Sequence, residues 1–330
     1  MFKKIIPFLI LIAILLASFF IIDWESTAEV LRHTNYFVIF SLCILQLISL
    51  TITSYQWYIL ISKFQKPLSF KKVMSIHLAA KFTENITPSV KVGGEATKLY
   101  LLNRLFKINY EKSTSLLLIN KFASFLPFLV ICSVFLGASI FTFKLPPAVY
   151  LSFLALSTTF IIIFLLYSKV SNNNSLKELS CNNSSKPSLI NKFLKLSLVN
   201  KSIAFFSNAI EETNNLISNQ ELIKLYFLSA VVWFIYPIHV YYIISMLGVQ
   251  STFTLIAIAT YSAYSVSMIP LSPGGLGSYE ATMVLILTLN GISATNGLAI
   301  VLLTRLVTYL FPLLISGINT AFLSWRLSTE

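Results

Sequence analysis

Apolar residues run in blocks of membrane-crossing length, and what interrupts them is mostly lysine, proline and glycine. Ile5 to Ile22 is 18 uncharged residues, about 27 Å as a helix and enough to cross the hydrocarbon core of a bilayer. Tyr36 to Ile61 is a second block, Leu116 to Phe143 a third holding the single charge Lys121, and Ala148 to Ser168 a fourth. Leu225 to Leu247 and the long Ala294–Trp325 segment, interrupted by Pro312, complete six expected spans. Two stretches fit no simple span. Between Phe70 and Lys112, residues Met74–Phe82 and Ala96–Phe106 predict two short helices around Pro88 and Gly93-Gly94. Phe253–Ile269 and Ser278–Asn290 predict another two around Pro270-Leu-Ser-Pro-Gly-Gly-Leu-Gly277. Each half is too short to span.

That second break lies in a run from Leu225 to Tyr279 without one charged residue, and Glu280 ends the run. Backbone freed by Pro270, Pro273, Gly274, Gly275 and Gly277 must find partners in protein or in a wet cavity, because lipid offers none. Helix breakers beside an ionisable group at membrane depth are the sequence mark of a transport site. A plain turn between two spans, with Glu280 at the interface, fits the same segment.

An internal echo separates these readings. Pro88-Ser-Val-Lys-Val-Gly-Gly-Glu-Ala-Thr97 and Pro273-Gly-Gly-Leu-Gly-Ser-Tyr-Glu-Ala-Thr282 share a proline, six residues, then Glu-Ala-Thr. A cation and a proline follow each at matching distance: Lys121 and Pro127 after Glu95, Arg305 and Pro312 after Glu280. The chain therefore reads as two diverged copies of one unit, 35–143 and 223–326, within a single polytopic membrane domain. The 169–222 stretch between them is rich in lysine and asparagine. Its Asn172-Asn-Asn174 region reads as a linker. Phe193, Leu194, Leu198, Phe205 and Phe206 among lysines suit either an amphipathic helix on the inner leaflet or an ordinary loop helix.

Composition agrees with this picture. The chain is 56% hydrophobic and 11% charged, so it is expected to be an all-α integral membrane protein. Its net charge of +12 lies mainly beside the apolar blocks, where basic residues set topology and meet lipid headgroups, so no nucleic-acid partner is expected. Lys3, Lys4, Lys63, Lys66, Lys71 and Lys72 put both termini in the cytoplasm of a cell membrane, with Arg32 and Lys144 outside. Six spans plus two re-entrant hairpins then place the repeats in opposite senses, an inverted-topology architecture; an amphipathic surface hairpin is the other reading of the first broken stretch. Cys43, Cys132 and Cys181 show no pairing or metal spacing, and no cofactor is expected.

A charge at the bilayer centre costs about 2.5–3.5 kcal/mol, so such groups pair or line wet cavities. Candidate partners are Glu280 with Arg305 and Glu95 with Lys121, or crosswise between units. Helices starting after Gly93-Gly94 and Gly277 would aim N-terminal amides at the breaks and attract phosphate or carboxylate. Acids, bases and helix starts together suit a zwitterionic or anionic lipid headgroup; pairs that merely fix helix packing are the bland alternative.

The motif Pro270-Leu-Ser272-Pro-Gly-Gly-Leu-Gly-x-x-Glu280, the earlier Asn85-x-x-Pro88…Gly-Gly-Glu95-x-x-Lys98 and the lone Arg305 in its span resemble the lysylphosphatidylglycerol synthase transmembrane-region family. This flippase-like domain occurs fused to aminoacyl transferases and alone, and the resemblance covers nearly the whole chain. It implies movement of a polar lipid or lipid-linked sugar between leaflets, in company with a lipid-modifying enzyme or without one. Lys98 and Lys121 stand where the family commonly has arginine, which weakens a bidentate grip on phosphate. No transferase domain is expected after Trp325, and no metal, nucleotide or acyl-transfer motif is present, so lysyltransferase activity is not expected of this chain.

Overall fold

The computed structural model describes residues 32, 34–64, 67–87, 92–140, 142–172, 217–269 and 273–329, with side chains set aside at 163–172, 273 and 329. The expected first span, Pro88, Pro270, Ser272 and most of the asparagine- and lysine-rich stretch lie outside the described residues.

Among the described residues every regular element is helical. In chain order they are α1 (Tyr36–Ile61), α2 (Phe70–Ile86), α3 (Val92–Phe106), α4 (Tyr110–Ser139), α5 (Pro147–Asn172), α6 (Asn219–Met246), α7 (Phe253–Ser267), α8 (Ser278–Leu289), α9 (Ala294–Arg305) and α10 (Phe311–Thr329). A 3₁₀ turn, Pro273–Gly275, stands between α7 and α8, and a π turn, Leu306–Leu310, joins α9 to α10. By length and composition α1, α4, α6 and the joined α9–α10 helix each suffice to cross a membrane. Side-chain oxygens start many of these helices: Asn35, Asn109, Ser218, Thr252 and Ser293 each accept a backbone N–H of the first turn.

The prolines inside spans are accommodated in two ways. Pro237 lies within an unbroken α6. Its missing N–H leaves the Trp233 carbonyl without its usual helical partner, and the Tyr261 hydroxyl donates to that oxygen at 3.2 Å. Ahead of Pro312 the helix widens into the π turn, which relieves the clash a proline ring makes with the preceding turn. The break expected at Pro312 is therefore a wide turn just upstream of it, and Arg305 is the last residue before that turn.

Two hairpins of short helices meet inside this frame. Helix α2 packs on α3, and α7 on α8. Their bases lie at opposite ends of the molecule. Near the base of the α2–α3 hairpin, Lys63 pairs with Glu221 at 2.5 Å, Lys112 sits over the Phe64 ring, and Arg104 donates to the Leu327 carbonyl at 2.9 Å. Those contacts gather the end of α1 and the starts of α4 and α6 with the end of α10. At the base of the α7–α8 hairpin, Asn290 exchanges hydrogen bonds with the backbone of Lys144 at 3.2 and 3.1 Å, and Phe253 packs on Phe135 and Tyr241. Between these ends, α2 touches the 3₁₀ turn of the other hairpin. The hairpins thus reach in from opposite sides and meet tip to tip.

Each hairpin has its own apolar core. Around α2–α3 it includes Trp57, Leu60, Leu102, Leu116 and Leu225; around α7–α8 it includes Phe128, Trp233, Ile256, Tyr261 and Met283. Elsewhere large apolar side chains such as Phe37, Val134, Phe227 and Ile318 stand outward, as lipid-facing positions require. His239 is buried, with Nδ1 2.8 Å from the Ile235 carbonyl and Nε2 3.2 Å from that of Leu42, and so ties α6 to α1.

Candidate functional site

The site grows from the glycines of the second break. Gly274, Gly275 and Gly277 all take positive φ, a region that costs L-residues roughly 1–2 kcal/mol. A Cβ on Gly274 would also fall 2.3 Å from the Tyr309 ring. The bend turns the carbonyls of Gly274 and Gly275 toward Arg305, whose Nη2 donates to them at 3.2 and 3.0 Å. Its Nε reaches Glu280 Oε1 at 2.5 Å. The other carboxylate oxygen, Oε2, accepts the Gly277 amide at 2.6 Å. Rings cover the guanidinium, Tyr279 at 4.2 Å and Tyr309 at 5.3 Å from its carbon. Arg305 is buried, and Glu280 keeps a fifth of its side-chain surface exposed.

In the first hairpin Glu95 and Lys121 form an ion pair, with half of the lysine side chain exposed. Of the two pairings the sequence allowed, the structure has Glu280 with Arg305 and Glu95 with Lys121. The Lys98 ammonium lies 4.4 Å from the centre of the Trp57 ring. Asn85 ends up in the last turn of α2. Its carbonyl accepts the Tyr309 hydroxyl at 3.0 Å, and its buried Nδ2 has no hydrogen-bond partner.

Two expectations need correction. Helix α3 begins at Val92, so Gly93 and Gly94 lie inside its first turn and not ahead of it. Their role is close packing: a Cβ on Gly94 would lie 2.7 Å from the Ala80 carbonyl of α2. At Gly277, α8 does begin where expected, but Glu280 itself accepts that amide. The helix start therefore presents no open donor at Gly277 to a ligand.

Sequence reasoning missed several residues here. Lys81 and Glu84 pair at 3.1 Å on α2, and the lysine lies within the electrostatic reach of Tyr236 and Tyr309. Their i,i+3 spacing was visible, but nothing marked that turn of α2 as interior. Tyr279 and Tyr309 were hidden among 15 tyrosines with no distinguishing spacing. Among the described residues no cluster of His, Cys, Asp and Glu could hold a metal ion.

A helical multi-pass membrane protein with two opposed broken hairpins and paired charges where their tips meet is the class that fold and site define. The chain belongs to the family described as the lysylphosphatidylglycerol synthase TM region, which it matches over residues 5–316. It is similar to a UPF0104 membrane protein of Methanocaldococcus jannaschii, 26% identical over 95% of this chain and 92% of the relative. A UPF0104 membrane protein of Pyrococcus horikoshii is 22% identical over 96% of both chains. One from Methanothermobacter thermautotrophicus is 20% identical over 93% of this chain and 91% of its own.

Proposed function

We propose that the protein is a lipid translocase, moving a lipid with a polar or anionic headgroup, or a lipid-linked sugar, between the leaflets of the cell membrane. The observation that carries this reading is the meeting of two broken hairpins, reaching in from opposite ends, at the Glu280–Arg305 ion pair. Charges beside a broken helix at membrane depth suit a headgroup that must cross lipid. The family's description, which names a lipid synthase, points to the same class of cargo. On this reading 35–143 and 223–326 are inverted copies that rock about their shared tips, both termini face the cytoplasm, and an enzyme that makes or uses the lipid is the natural partner.

Glu95, Lys121 and Glu280 are the residues to test. Arg305 is too deeply built into the hairpin for its loss to report on transport alone. Glu280→Gln keeps a side chain that can cap α8, and Lys121→Gln removes a half-exposed charge. Liposomes containing the protein and a trace of headgroup-labelled fluorescent lipid, treated with an impermeant quencher, read leaflet exchange directly. Inner-leaflet label should become accessible only with protein present, and Lys121→Gln should slow its appearance at least tenfold with unchanged folding. Glu280→Gln, which leaves the buried Arg305 charge unanswered, should slow exchange and also bring the thermal transition earlier. No exchange for any anionic, zwitterionic or glycosylated lipid would overturn the assignment.

A further inference from the structure

Away from the tips, the α2–α3 hairpin contains a polar group left unanswered. His77 is buried on α2, with Nε2 3.0 Å from the Thr53 hydroxyl of α1. That hydroxyl has one proton, and it donates to the Ser49 and Leu50 carbonyls at 3.1 and 3.0 Å. It therefore accepts from His77, which assigns the ring proton to Nε2 and leaves Nδ1 as a lone-pair acceptor. Nδ1 is buried and has no hydrogen-bond donor. Leaving such an atom unmatched is costly, and in native proteins it calls for a reason.

Its surroundings supply one. His77, Lys98, Trp57, Ile61, Val73, Ile76 and Leu102 line one crevice between α1, α2 and α3. The crevice is closed in this conformation, and Lys98, on a flexible four-carbon stem, is the wall that can swing. His77 is seven residues from the start of α2 and Lys98 eight from the end of α3, about 10–12 Å above the hairpin base. With the hairpin base at the interface, as the translocase reading has it, that is the depth of a headgroup just past it. Lys98 and Lys81, and Glu84 with the opposite sign, act electrostatically on His77. Glu84 is paired with Lys81, which acts in turn on Tyr309, so polar groups continue from the crevice to the tips.

We infer that this crevice is an entry subsite for a phosphodiester headgroup that also has a hydrogen-bond donor, the phosphate meeting Lys98 and a hydroxyl or ammonium meeting His77 Nδ1. The inference rests on the translocase reading and narrows its cargo. A soluble polyol phosphate has the same chemistry, so the test must separate it from a lipid.

The full-length protein in phosphatidylcholine nanodiscs is titrated with fluorescent phosphatidylglycerol or with phosphatidylmethanol, which has the same charge and no hydroxyl. Wild type should bind phosphatidylglycerol about tenfold tighter, the worth of one well-made hydrogen bond. His77→Leu should bind both at the weaker level, and His77→Asn, with an amide oxygen in place of Nδ1, should recover part of the preference. Lys98→Met, which keeps its stem over Trp57, should weaken both lipids alike. Equal wild-type affinities, or a preference that survives His77→Leu, would overturn the inference. Competition by glycerol 3-phosphate at the concentration of the bound lipid would overturn the lipid as the source. Binding is read at equilibrium without leaflet exchange, so a protein that exchanges lipid yet lacks this preference sinks the subsite alone.

Discussion

Arg305 shows how a buried charge can be made to fold a hairpin. Its guanidinium joins a carboxylate, two glycine carbonyls and the Tyr279 ring, all from the second break and the following helix, to the Tyr309 ring of the π turn. Lysine has no planar fork to serve a carboxylate and two carbonyls together. Arg305→Lys should therefore lower stability by about 1.5–3 kcal/mol, the range for a hydrogen bond to a charged group, seen as an earlier thermal transition in detergent. At the position that the sequence echo matches to Arg305, Lys121 is half exposed, and among the described residues its ion pair is with Glu95. Lys121→Arg should leave stability within about 0.5 kcal/mol, as surface substitutions do. A thermal transition moved as far as that of Arg305→Lys would show that the two sites are equally locked.

At the level of elements, the contact between hairpins includes one hydroxyl. Tyr309 stands on the π turn and reaches the Asn85 carbonyl at the end of α2. Tyr309→Phe removes that link with little change of shape, at a cost of about 0.5–1.5 kcal/mol. Cysteines placed on the two tips should then cross-link more slowly than in the parent protein. The helices themselves were largely readable. Tyr36–Ile61 has the expected bounds, and α7 and α8 end within two residues of expectation. Helix α2 was read four residues too short at each end, because Lys71, Lys72, Glu84 and Asn85 look like loop residues, whereas the helix that contains them packs on α3 and α10. The pairing of Glu280 with Arg305 was open to inference from charge scarcity alone. The π turn was not, since it is a response of backbone to Pro312 and leaves no residue signature of its own.

For the molecule as a whole, contacts close both ends of the bundle. Lys63–Glu221 and Lys224–Tyr55 hold one end, and Asn290 grips the Lys144 backbone at the other. On the translocase reading, movement of one unit against the other must open one of these ends. A disulfide between cysteines at 144 and 290 should leave the thermal transition intact or higher while halting lipid exchange in liposomes, and a reductant should restore it. Exchange that continues at full rate in the cross-linked protein would show that the unit containing α8 does not part from the α4–α5 turn.

Three acid–base couples toward the hairpin tips, Lys81–Glu84, Lys121–Glu95 and Arg305–Glu280, each sum to zero. A transmembrane voltage exerts about 2.3 kcal/mol per elementary charge per 100 mV on whatever charge travels through it. Rearranging self-cancelling couples gives that field almost nothing to pull on. Apart from the swing of Lys98, whatever steepness an applied potential imposes on the exchange rate would then belong to the passenger, and the protein becomes a meter of its cargo's valence.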